Sequence, residues 1–320
     1  MAEPLIVVPD DFPSIFKGTA AEKRCARLGE TRVYSERGAD DEAELTRRLA
    51  GARAAINIRA HARFTDRVFA ASPELKMVSI WGTGTDNIDL DSAVRRGVTV
   101  SNTPGVNANA VAEHAIALML AVARRIPRID REMRTGAWPR EMLTQLLGKT
   151  LGVFGTGAIG RRVIALGRAL GMEVVTWSAR GGDAVQGTRA ASKDEILRAA
   201  DVVTLHLRLS PETRGFLGAR ELSLMKRPAI LINTGRGALV ERAALLAALG
   251  DSTLSAGLDV FHDEPLKPDD PILTLPNVVL SPHNAGQTPE VIHDGLLRAV
   301  ENIENFLQGR PSDVVVAPPT

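Results

Sequence analysis

The segment TLGVFGTGAIGR, residues 150–161, decides the fold. Its apolar start is typical of a buried β-strand, and a helical pattern follows its last glycine. Between them, Gly155, Gly157 and Gly160 have the spacing G-x-G-x-x-G, which permits a tight turn, a close approach of the backbone to a pyrophosphate, and close helix–strand packing. The segment therefore predicts a dinucleotide-binding unit, against the alternative of a glycine-rich turn that binds nothing. The predicted cofactor contacts are Gly155, Gly157, Ala158, Ile159 and Gly160.

Short β-branched runs alternate with helical patterns on both sides of this segment. The runs lie at 5–8, 31–34, 54–58, 75–80 and 98–101, and then at 150–155, 173–177, 201–207, 229–233, 253–260 and 277–281. Such alternation predicts parallel sheets with helices on both faces. A Pro-Gly turn within 102–105 separates the two series, and the apolar stretch 111–122 predicts a buried helix. The predicted fold class is α/β, with two doubly wound parallel-sheet domains.

Composition restricts the classes of function. The 320 residues are 44% hydrophobic with a net charge of +1, so we expect an ordinary globular protein without nucleic acid or membrane as partner. The single cysteine, Cys25, excludes an internal disulfide and a cysteine-rich zinc site, and no metal is expected. The sequence has no apolar run of about 18 residues. Its first residues do not resemble a signal peptide, so a cytoplasmic protein is expected.

The end of the next predicted strand bears on the choice of cofactor. NAD-binding units usually place an acidic residue about 20 positions after the glycines, where it binds the ribose 2′-hydroxyl. Here Ser178 takes that position and Arg180 follows it. A hydroxyl and a guanidinium bind a 2′-phosphate that a carboxylate would repel. The sequence predicts NADP(H) as the preferred cofactor; the alternative is NAD(H), with Arg180 in solvent and Asp183 assisting.

Three segments near the ends of predicted strands carry candidate catalytic residues. Arg236 lies in NTGRG, Glu264 in DVFHDEP, and His283 in SPHNAG. An arginine can hold a carboxylate and polarise the adjacent carbonyl, and a histidine can give a proton to the carbonyl oxygen as a hydride arrives. A nearby carboxylate stabilises the charged imidazole, and the neutral imidazole is the base in the oxidation direction. Each residue considered alone is better explained as an ordinary surface or loop residue. Together, the three form a workable site for hydride transfer to a keto acid.

The sequence resembles the D-isomer-specific 2-hydroxyacid dehydrogenases, which include glyoxylate/hydroxypyruvate reductases and D-3-phosphoglycerate dehydrogenase. The matching segments span most of the chain in the family's order. They are GTGTDNIDL at 82–90, NTPGVNANAVAEHAIALML at 102–120, LGVFGTGAIGR at 151–161, LINTGRGALV at 231–240, GLDVFHDEPL at 257–266 and NVVLSPH at 277–283. The resemblance implies a Rossmann cofactor domain, residues 102–284, inserted into a flavodoxin-like substrate domain of residues 1–101 and 285–320.

The resemblance also implies roles for individual residues. It makes Arg236, Glu264 and His283 the catalytic residues and places Asp259 at the nicotinamide carboxamide. The implied substrate contacts are the backbone of Gly82, Thr83 and Gly84 together with the side chain of Arg59, for which a surface role is the alternative. Three other histidines have no role in this interpretation and are expected to be structural: His114, His206 and His262.

In the family, the region 120–150 forms an arm that grips a second subunit. Here that region holds Trp138, Leu146 and Leu147, so a homodimer is expected, with a local helical cap as the alternative.

Several functions fit this resemblance. The departure from the NAD pattern at Ser178 resembles the NADP-using reductases, so we expect glyoxylate/hydroxypyruvate reductase activity on a small 2-keto or 2-hydroxy acid. D-3-phosphoglycerate dehydrogenase is the first alternative, although the regulatory extension of some of those enzymes does not follow the last predicted helix. A nucleotide-sensing corepressor, which would keep the same catalytic residues, is the alternative from another class. The order of Arg236, Glu264 and His283 disfavours a different Rossmann oxidoreductase, such as a 3-hydroxyacid dehydrogenase.

Overall fold

The computed structural model describes residues 3–58, 61–179, 181 and 185–319. The chain forms two compact units: Met1–Asn107 with Thr288–Thr320, and Ala108–Gln287. The predicted domain boundaries, at 102 and 284, fall a few residues earlier in the chain. The second unit is thus a continuous insertion between the two parts of the first.

The elements of both units follow in chain order. The strands are β1 (Leu5–Val8), β2 (Glu30–Val33), β3 (Ala54–Asn57), β4 (Met77–Ile80), β5 (Thr99–Ser101), β6 (Thr150–Phe154), β7 (Glu173–Trp177), β8 (Arg189–Ala190), β9 (Val202–Leu205), β10 (Ala229–Asn233), β11 (Leu254–Leu258), β12 (Val278–Leu280) and β13 (Val314–Val316). The helices are α1 (Ala20–Cys25), α2 (Glu42–Leu49), α3 (Asp66–Ala70), α4 (Leu90–Arg95), α5 (Ala108–Ala123), α6 (Ile126–Arg134), α7 (Ala158–Ala169), α8 (Lys193–Ala199), α9 (Ala219–Leu224), α10 (Arg242–Gly250) and α11 (Pro289–Leu307). Short 3₁₀ turns lie at Gly237–Leu239 and Pro271–Thr274.

The sheet of the first unit has the strand order β13-β5-β4-β3-β1-β2. Strands β1 to β5 pair in parallel, and β13 joins β5 in the antiparallel direction. The order 2-1-3-4-5 of the parallel strands is that of flavodoxin-like sheets. Every residue of β3 and β4 is buried, as is typical of strands that helices cover on both faces.

Helix α11 completes the core on one face of this sheet. It begins after Thr288, whose side chain accepts a hydrogen bond from the Val291 N–H, and Pro289 occupies the first turn, where a missing N–H costs nothing. Its apolar face buries Leu296, Val300 and Ile303 in the same core cluster as residues of β1, β3 and β4. The chain therefore returns from the second unit to finish the core of the first.

The sheet of the second unit has the order β12-β11-β10-β9-β6-β7-β8, with every neighbouring pair parallel. Numbered within the unit, this is the Rossmann order 3-2-1-4-5-6 with one further strand. The order reverses between β6 and β9, and ligands of such sheets bind outside the carboxyl ends of the strands at that point. The predicted fold class, with a Rossmann domain and a flavodoxin-like domain, is confirmed.

Helix α5 is the predicted buried helix. Its residues Val111, Ala115, Leu118 and Met119 are buried, and the helix packs against α7, β10 and β11. A Cβ on Gly257 of β11 would lie 2.9 Å from the Leu118 Cβ, so only glycine lets the helix approach this strand so closely. This close packing places side chains of α5 beside the loops that follow β11 and β12.

Some features differ from the expectations or extend them. Strands β8 and β13 were not predicted, because runs of two and three residues are too short a pattern to separate a strand from a loop. Leu146 of the expected arm is buried in the core of its own unit, whereas Leu147 is exposed. None of the described helices is long and apolar enough to cross a membrane.

Candidate active site

The glycine motif shapes the turn between β6 and α7. Gly155 has φ +103°, and a Cβ there would lie 2.4 Å from the His206 carbonyl oxygen. A Cβ on Gly160 would lie 1.9 Å from the Gly155 carbonyl oxygen, so neither position accepts a side chain. Gly157 caps α7 in an extended conformation, with no heavy atom within 4 Å of its Cβ position. The open space above the first N–H groups of this 12-residue helix fits the pyrophosphate of a dinucleotide.

The residues expected to contact the ribose of the cofactor lie at the end of β7. The Trp177 ring packs against the rings of Phe216 and Phe154, with centroids 5.1 and 6.0 Å apart, which fixes the last residue of the strand. Ser178 follows directly and is half-buried. Arg180 and Asp183, the other two residues in the cofactor interpretation, lie outside the described residues.

Arg236 lies in a tightly fixed loop after β10. The buried Asn233 accepts a hydrogen bond from the Gly235 N–H at 3.0 Å and donates one to the Arg236 carbonyl at 2.9 Å. A Cβ on Gly237 would lie 2.1 Å from the Phe261 carbonyl carbon, so this loop presses against the loop after β11. The guanidinium donates to the Gly235 carbonyl at 2.9 Å and is half-buried. The backbone that carries the arginine is thus held on both sides.

Glu264 and His283 are in contact, as the sequence led us to expect. The Glu264 Oε2 and His283 Nδ1 atoms lie 2.6 Å apart, although the residues are 19 positions apart in sequence. Both side chains reach solvent, with 32% and 40% of their surfaces exposed. The other Glu264 oxygen accepts the Phe261 N–H at 2.8 Å, which orients the carboxylate. Nδ1 is the ring nitrogen that faces Glu264, and Nε2 is the ring nitrogen on the other side of the imidazole.

The backbone of His283 has an unusual conformation. Its φ is +53°, in the left-handed region that residues with a side chain rarely adopt. Its N–H donates to the Asp259 carbonyl at 2.7 Å, which ties the turn to the end of β11. A strained conformation of this kind persists only where the surrounding contacts determine it.

The Asp259 carboxylate supplies further contacts to the same turn. It is fully buried, and it accepts hydrogen bonds from the Ser281 hydroxyl at 2.6 Å and from the N–H groups of Asn284 at 3.0 Å and Ala285 at 3.1 Å. Burial works to raise its pKa, but hydrogen bonds that include those of His114 and Ser281 hold the pKa below the ordinary value. Asp259 is therefore a buried anion that organises the loop after β12.

Of the histidines expected to be structural, His114 joins this cluster and His206 lies elsewhere in the unit. His114, expected to be merely structural, places its Nε2 atom 2.7 Å from the Ser281 hydroxyl and 3.4 Å from the Asp259 carboxylate. A polar side chain in the apolar helix α5 was the available signal. His206 lies behind Gly155; its Nε2 atom contacts the Thr204 hydroxyl at 2.9 Å, and burial lowers its pKa to about 4.

The expected substrate contacts Gly82, Thr83 and Gly84 follow β4 in the first unit. Gly82 has φ +115°, and its N–H donates to the Thr103 hydroxyl at 2.7 Å. The Thr83 carbonyl accepts the Asn102 side-chain amide at 3.0 Å. The turn is thus fixed by the residues that follow β5. Arg59 lies outside the described residues, and among those described no group of three or more His, Cys, Asp or Glu side chains could hold a metal ion.

Comparison with known proteins identifies the family. The model of the D-isomer specific 2-hydroxyacid dehydrogenase NAD-binding domain matches residues 116–285. A glyoxylate reductase from Aeropyrum pernix is 42% identical over 263 residues, which are 77% of this chain and 78% of that protein. A D-3-phosphoglycerate dehydrogenase from Archaeoglobus fulgidus is 39% identical over 80% of this chain, but the match spans only 50% of that longer protein.

Solved structures agree with this assignment. An acyclic imino acid reductase in complex with NADPH and D-Arg superposes with a TM-score of 0.90 at 30% identity, covering 98% of this chain and 100% of that one. An NADPH-dependent glyoxylate/hydroxypyruvate reductase from Sinorhizobium meliloti, in complex with NADP and malonate, has a TM-score of 0.86 at 29% identity, covering 98% and 97%. With the family model and the sequence relatives in agreement, the chain belongs to the D-isomer specific 2-hydroxyacid dehydrogenase family.

Proposed function

We propose that this chain is an NADP(H)-dependent reductase of glyoxylate or hydroxypyruvate. As a member of its family it is an NAD(P)-dependent oxidoreductase that interconverts a small 2-keto acid and its D-2-hydroxy acid. The observation that carries the proposed catalytic roles is the 2.6 Å contact between Glu264 Oε2 and His283 Nδ1, in the unit that also contains the glycine motif.

His283 exchanges the proton in this proposal. In reduction its Nε2 atom gives a proton to the carbonyl oxygen of the keto acid, and in oxidation the neutral ring takes the proton from the hydroxyl. Glu264 stabilises the imidazolium and keeps the ring oriented, because its own position is fixed by the Phe261 N–H. The nicotinamide, when bound, supplies or accepts the hydride.

Arg236 binds the substrate in this proposal. Its guanidinium holds the carboxylate of the keto acid and polarises the adjacent carbonyl, a role supported by the rigid loop between Asn233 and Gly237. The backbone of Gly82, Thr83 and Gly84 and the side chain of Arg59 are the substrate contacts proposed for the flavodoxin-like domain. The first domain, 1–101 and 285–320, would thus serve the substrate, and the domain 102–284 the cofactor.

The preference for NADP(H) rests on Ser178 and Arg180. Ser178 stands at the end of β7 where a carboxylate would repel a 2′-phosphate, and Arg180 offers a cation two positions later. The NADPH and NADP complexes of two structural relatives support this preference. Gly155, Gly157, Ala158, Ile159 and Gly160 would hold the pyrophosphate. A contact of Asp259 with the nicotinamide carboxamide stays a prediction from the sequence, because the carboxylate is fully buried in this structure and accepts hydrogen bonds from Ser281, Asn284 and Ala285.

A homodimer and a cytoplasmic location are also proposed. The segment from α6 to β6 exposes Trp138 to 73% and Met142 to 93%, and Leu147 is exposed as well. Large apolar side chains clustered along one exposed segment are typical of an interface. The homodimer proposal rests on this segment; the location remains a prediction from the sequence.

Two other functions stay as alternatives. D-3-phosphoglycerate dehydrogenase is favoured by 39% identity to the Archaeoglobus fulgidus enzyme. A corepressor-like binding protein would have the same fold and catalytic residues, and it would bind the cofactor without turning over a 2-keto acid.

The test is the initial rate with NADPH and NADH for glyoxylate, hydroxypyruvate, pyruvate and 3-phosphohydroxypyruvate. We expect fast NADPH oxidation with glyoxylate or hydroxypyruvate. Arg180→Ala should raise KM for NADPH about tenfold or more and leave KM for NADH unchanged, since it removes a contact of about 1.5–3 kcal/mol to the 2′-phosphate. Arg198→Ala, which removes an exposed arginine of α8, is the matched control.

Each outcome separates the alternatives. Equal effects of Arg180→Ala on both cofactors, or none, would remove the argument for NADP(H). A strong preference for 3-phosphohydroxypyruvate would favour the phosphoglycerate dehydrogenase. Cofactor binding without turnover of any of these acids would favour the corepressor-like role.

A further inference from the structure

Three side chains connected by hydrogen bonds lead from helix α5 to the turn that carries His283. His114 Nε2 lies 2.7 Å from Ser281 Oγ, and Ser281 Oγ lies 2.6 Å from Asp259 Oδ1. The residues come from three separate parts of the second unit: a buried helix, the end of β12 and the end of β11. Neither His114 nor Ser281 has a role in the reaction proposed above.

The number of available protons fixes which group donates in each of these hydrogen bonds. An ionised carboxylate only accepts hydrogen bonds, so the single Ser281 proton is donated to Asp259. The Ser281 oxygen can then only accept from His114, which must carry a proton on Nε2. The His114 Nε2–H therefore donates to Ser281 Oγ, with the Asp259 carboxylate also 3.4 Å from Nε2, and the Ser281 hydroxyl donates to that carboxylate.

The Asp259 carboxylate is the last acceptor in this series of hydrogen bonds, and it also binds the backbone that follows His283. It accepts the N–H groups of Asn284 and Ala285, while its own carbonyl accepts the N–H of His283. These three N–H groups belong to consecutive residues. Asp259 thus fixes the turn in which His283 has φ +53°, and this turn presents Nδ1 to Glu264.

We propose that His114 and Ser281 are positioning residues for His283. They hold the buried Asp259 carboxylate in one orientation, and that carboxylate holds the left-handed turn that aims the imidazole. The proposal rests on the proposed role of His283 as proton donor. Its structural part, that the pair fixes the 283–285 turn, can be measured without turnover.

The first test uses the cofactor-free protein. In Ser281→Ala the Asp259 carboxylate loses a donor, so we expect amide hydrogen exchange at Asn284 and Ala285 to accelerate about tenfold or more relative to wild type. Ser281→Thr keeps a hydroxyl and should restore protection. Ser92→Ala is the matched control, because Ser92 is a buried serine that donates to Asp66 at 2.5 Å in the other unit.

The second test separates positioning from binding. Ser281→Ala should lower kcat by about ten- to a hundredfold, because small displacements of a catalytic group cost that much, and KM for the keto acid should change little. Ser281→Thr should recover most of the rate. His114→Ala should have a smaller effect in the same direction, since Ser281 can still donate to Asp259, and His114→Gln should recover part of it.

Two outcomes overturn the proposal. Unchanged exchange at Asn284 and Ala285 in both Ser281→Ala and His114→Ala would show that the pair does not hold the turn. Faster exchange with an unchanged kcat would show that the turn does not need to be held for the reaction. If the wild-type protein turns over no 2-keto acid, the proposed function fails, whereas the exchange data still decide whether the pair fixes the turn.

Discussion

Each sheet carries a histidine–carboxylate pair on loops near its carboxyl edge, and the two pairs differ in what surrounds the carboxylate. In the Rossmann domain, Glu264 and His283 are both partly exposed, and the Glu264 carboxylate accepts one backbone N–H. In the flavodoxin-like domain, His61 Nε2 lies 3.0 Å from the Asp10 carboxylate; His61 is 29% exposed and Asp10 only 1%.

The Asp10 carboxylate is committed to the backbone. It accepts N–H groups from Phe12, Gly38 and Ala39 as well as the contact from His61. A buried anion with several backbone donors stabilises the loops it joins, whereas an exposed pair with one fixed oxygen leaves the imidazole open to a reactant. A short histidine–carboxylate distance alone therefore does not identify a catalytic pair.

The largest expected effect separates the two histidines in catalysis. His283→Ala should lower kcat/KM for the keto acid by about a thousandfold, because it removes the proposed proton donor of the reaction. His61→Ala should change kcat/KM by less than about threefold, since nothing assigns it to a reacting group. Steady-state rates of the two purified variants, beside wild type, measure the contrast. Comparable losses in both would show that the two histidines do not differ in their importance for catalysis.

The carboxylates should separate in the same assay by a smaller factor. Glu264→Gln keeps the shape and the contact to His283 but removes the charge that stabilises the imidazolium in the proposed mechanism, so kcat/KM for reduction should fall about a hundredfold. The melting temperature should stay near that of wild type, because this pair is exposed and contributes little to stability. A fall in melting temperature as large as that of Asp10→Asn would assign Glu264 a structural role instead.

The contacts of the active-site pair could be predicted from the sequence to a considerable extent. The contact between Glu264 and His283 was predictable because each follows one of two parallel strands, β11 and β12, which are neighbours in the doubly wound order. The glycine motif was predictable because Gly155 and Gly160 allow no side chain in that turn. In both cases the residue types in the sequence are enough to predict the local geometry or the neighbouring strands.

Contacts that depend on how a helix packs were not predictable. His114 and Ser281 are 167 positions apart, and the apolar pattern of α5 indicates that it is buried without indicating which strand end its one histidine meets. Leu146, which reads as part of an exposed arm, is buried because the chain turns back onto the core before β6. Tertiary packing, which periodicity does not encode, decides all of these contacts.

A smaller effect should appear in stability and favour the other pair. Asp10→Asn replaces an anion that accepts backbone N–H groups by an amide with one acceptor oxygen, so unfolding should become easier by about 1–3 kcal/mol at neutral pH. Burial works to raise the Asp10 pKa, but hydrogen bonds, chiefly from His61 and the Ala39 N–H, hold it below its ordinary value of 3.8. The contribution of the ionised carboxylate is therefore complete above pH 3.8 and is lost as pH falls through the lower folded pKa.

Urea denaturation of wild type and Asp10→Asn over this pH range measures the contribution. The difference in unfolding free energy should shrink as pH falls below 3.8, because the carboxyl group is then protonated first in the unfolded chain and at lower pH in the folded one. Glu264→Gln, treated in the same way, should show little difference at any pH. A difference for Asp10→Asn that grows on acidification would contradict the sign of the argument.

The smallest expected effect isolates the His61–Asp10 contact itself. His61→Gln keeps a donor that can reach Asp10 but removes the imidazole ring, and the loss of stability in urea denaturation should stay below about 1 kcal/mol because His61 is partly exposed. The loss in Asp10→Asn should be larger, because the buried backbone hydrogen bonds to the carboxylate are weakened as well. A loss of several kcal/mol in His61→Gln would mean that the imidazole, and not the backbone amides, secures Asp10. The two carboxylates would then differ in exposure but not in how strongly each depends on its histidine.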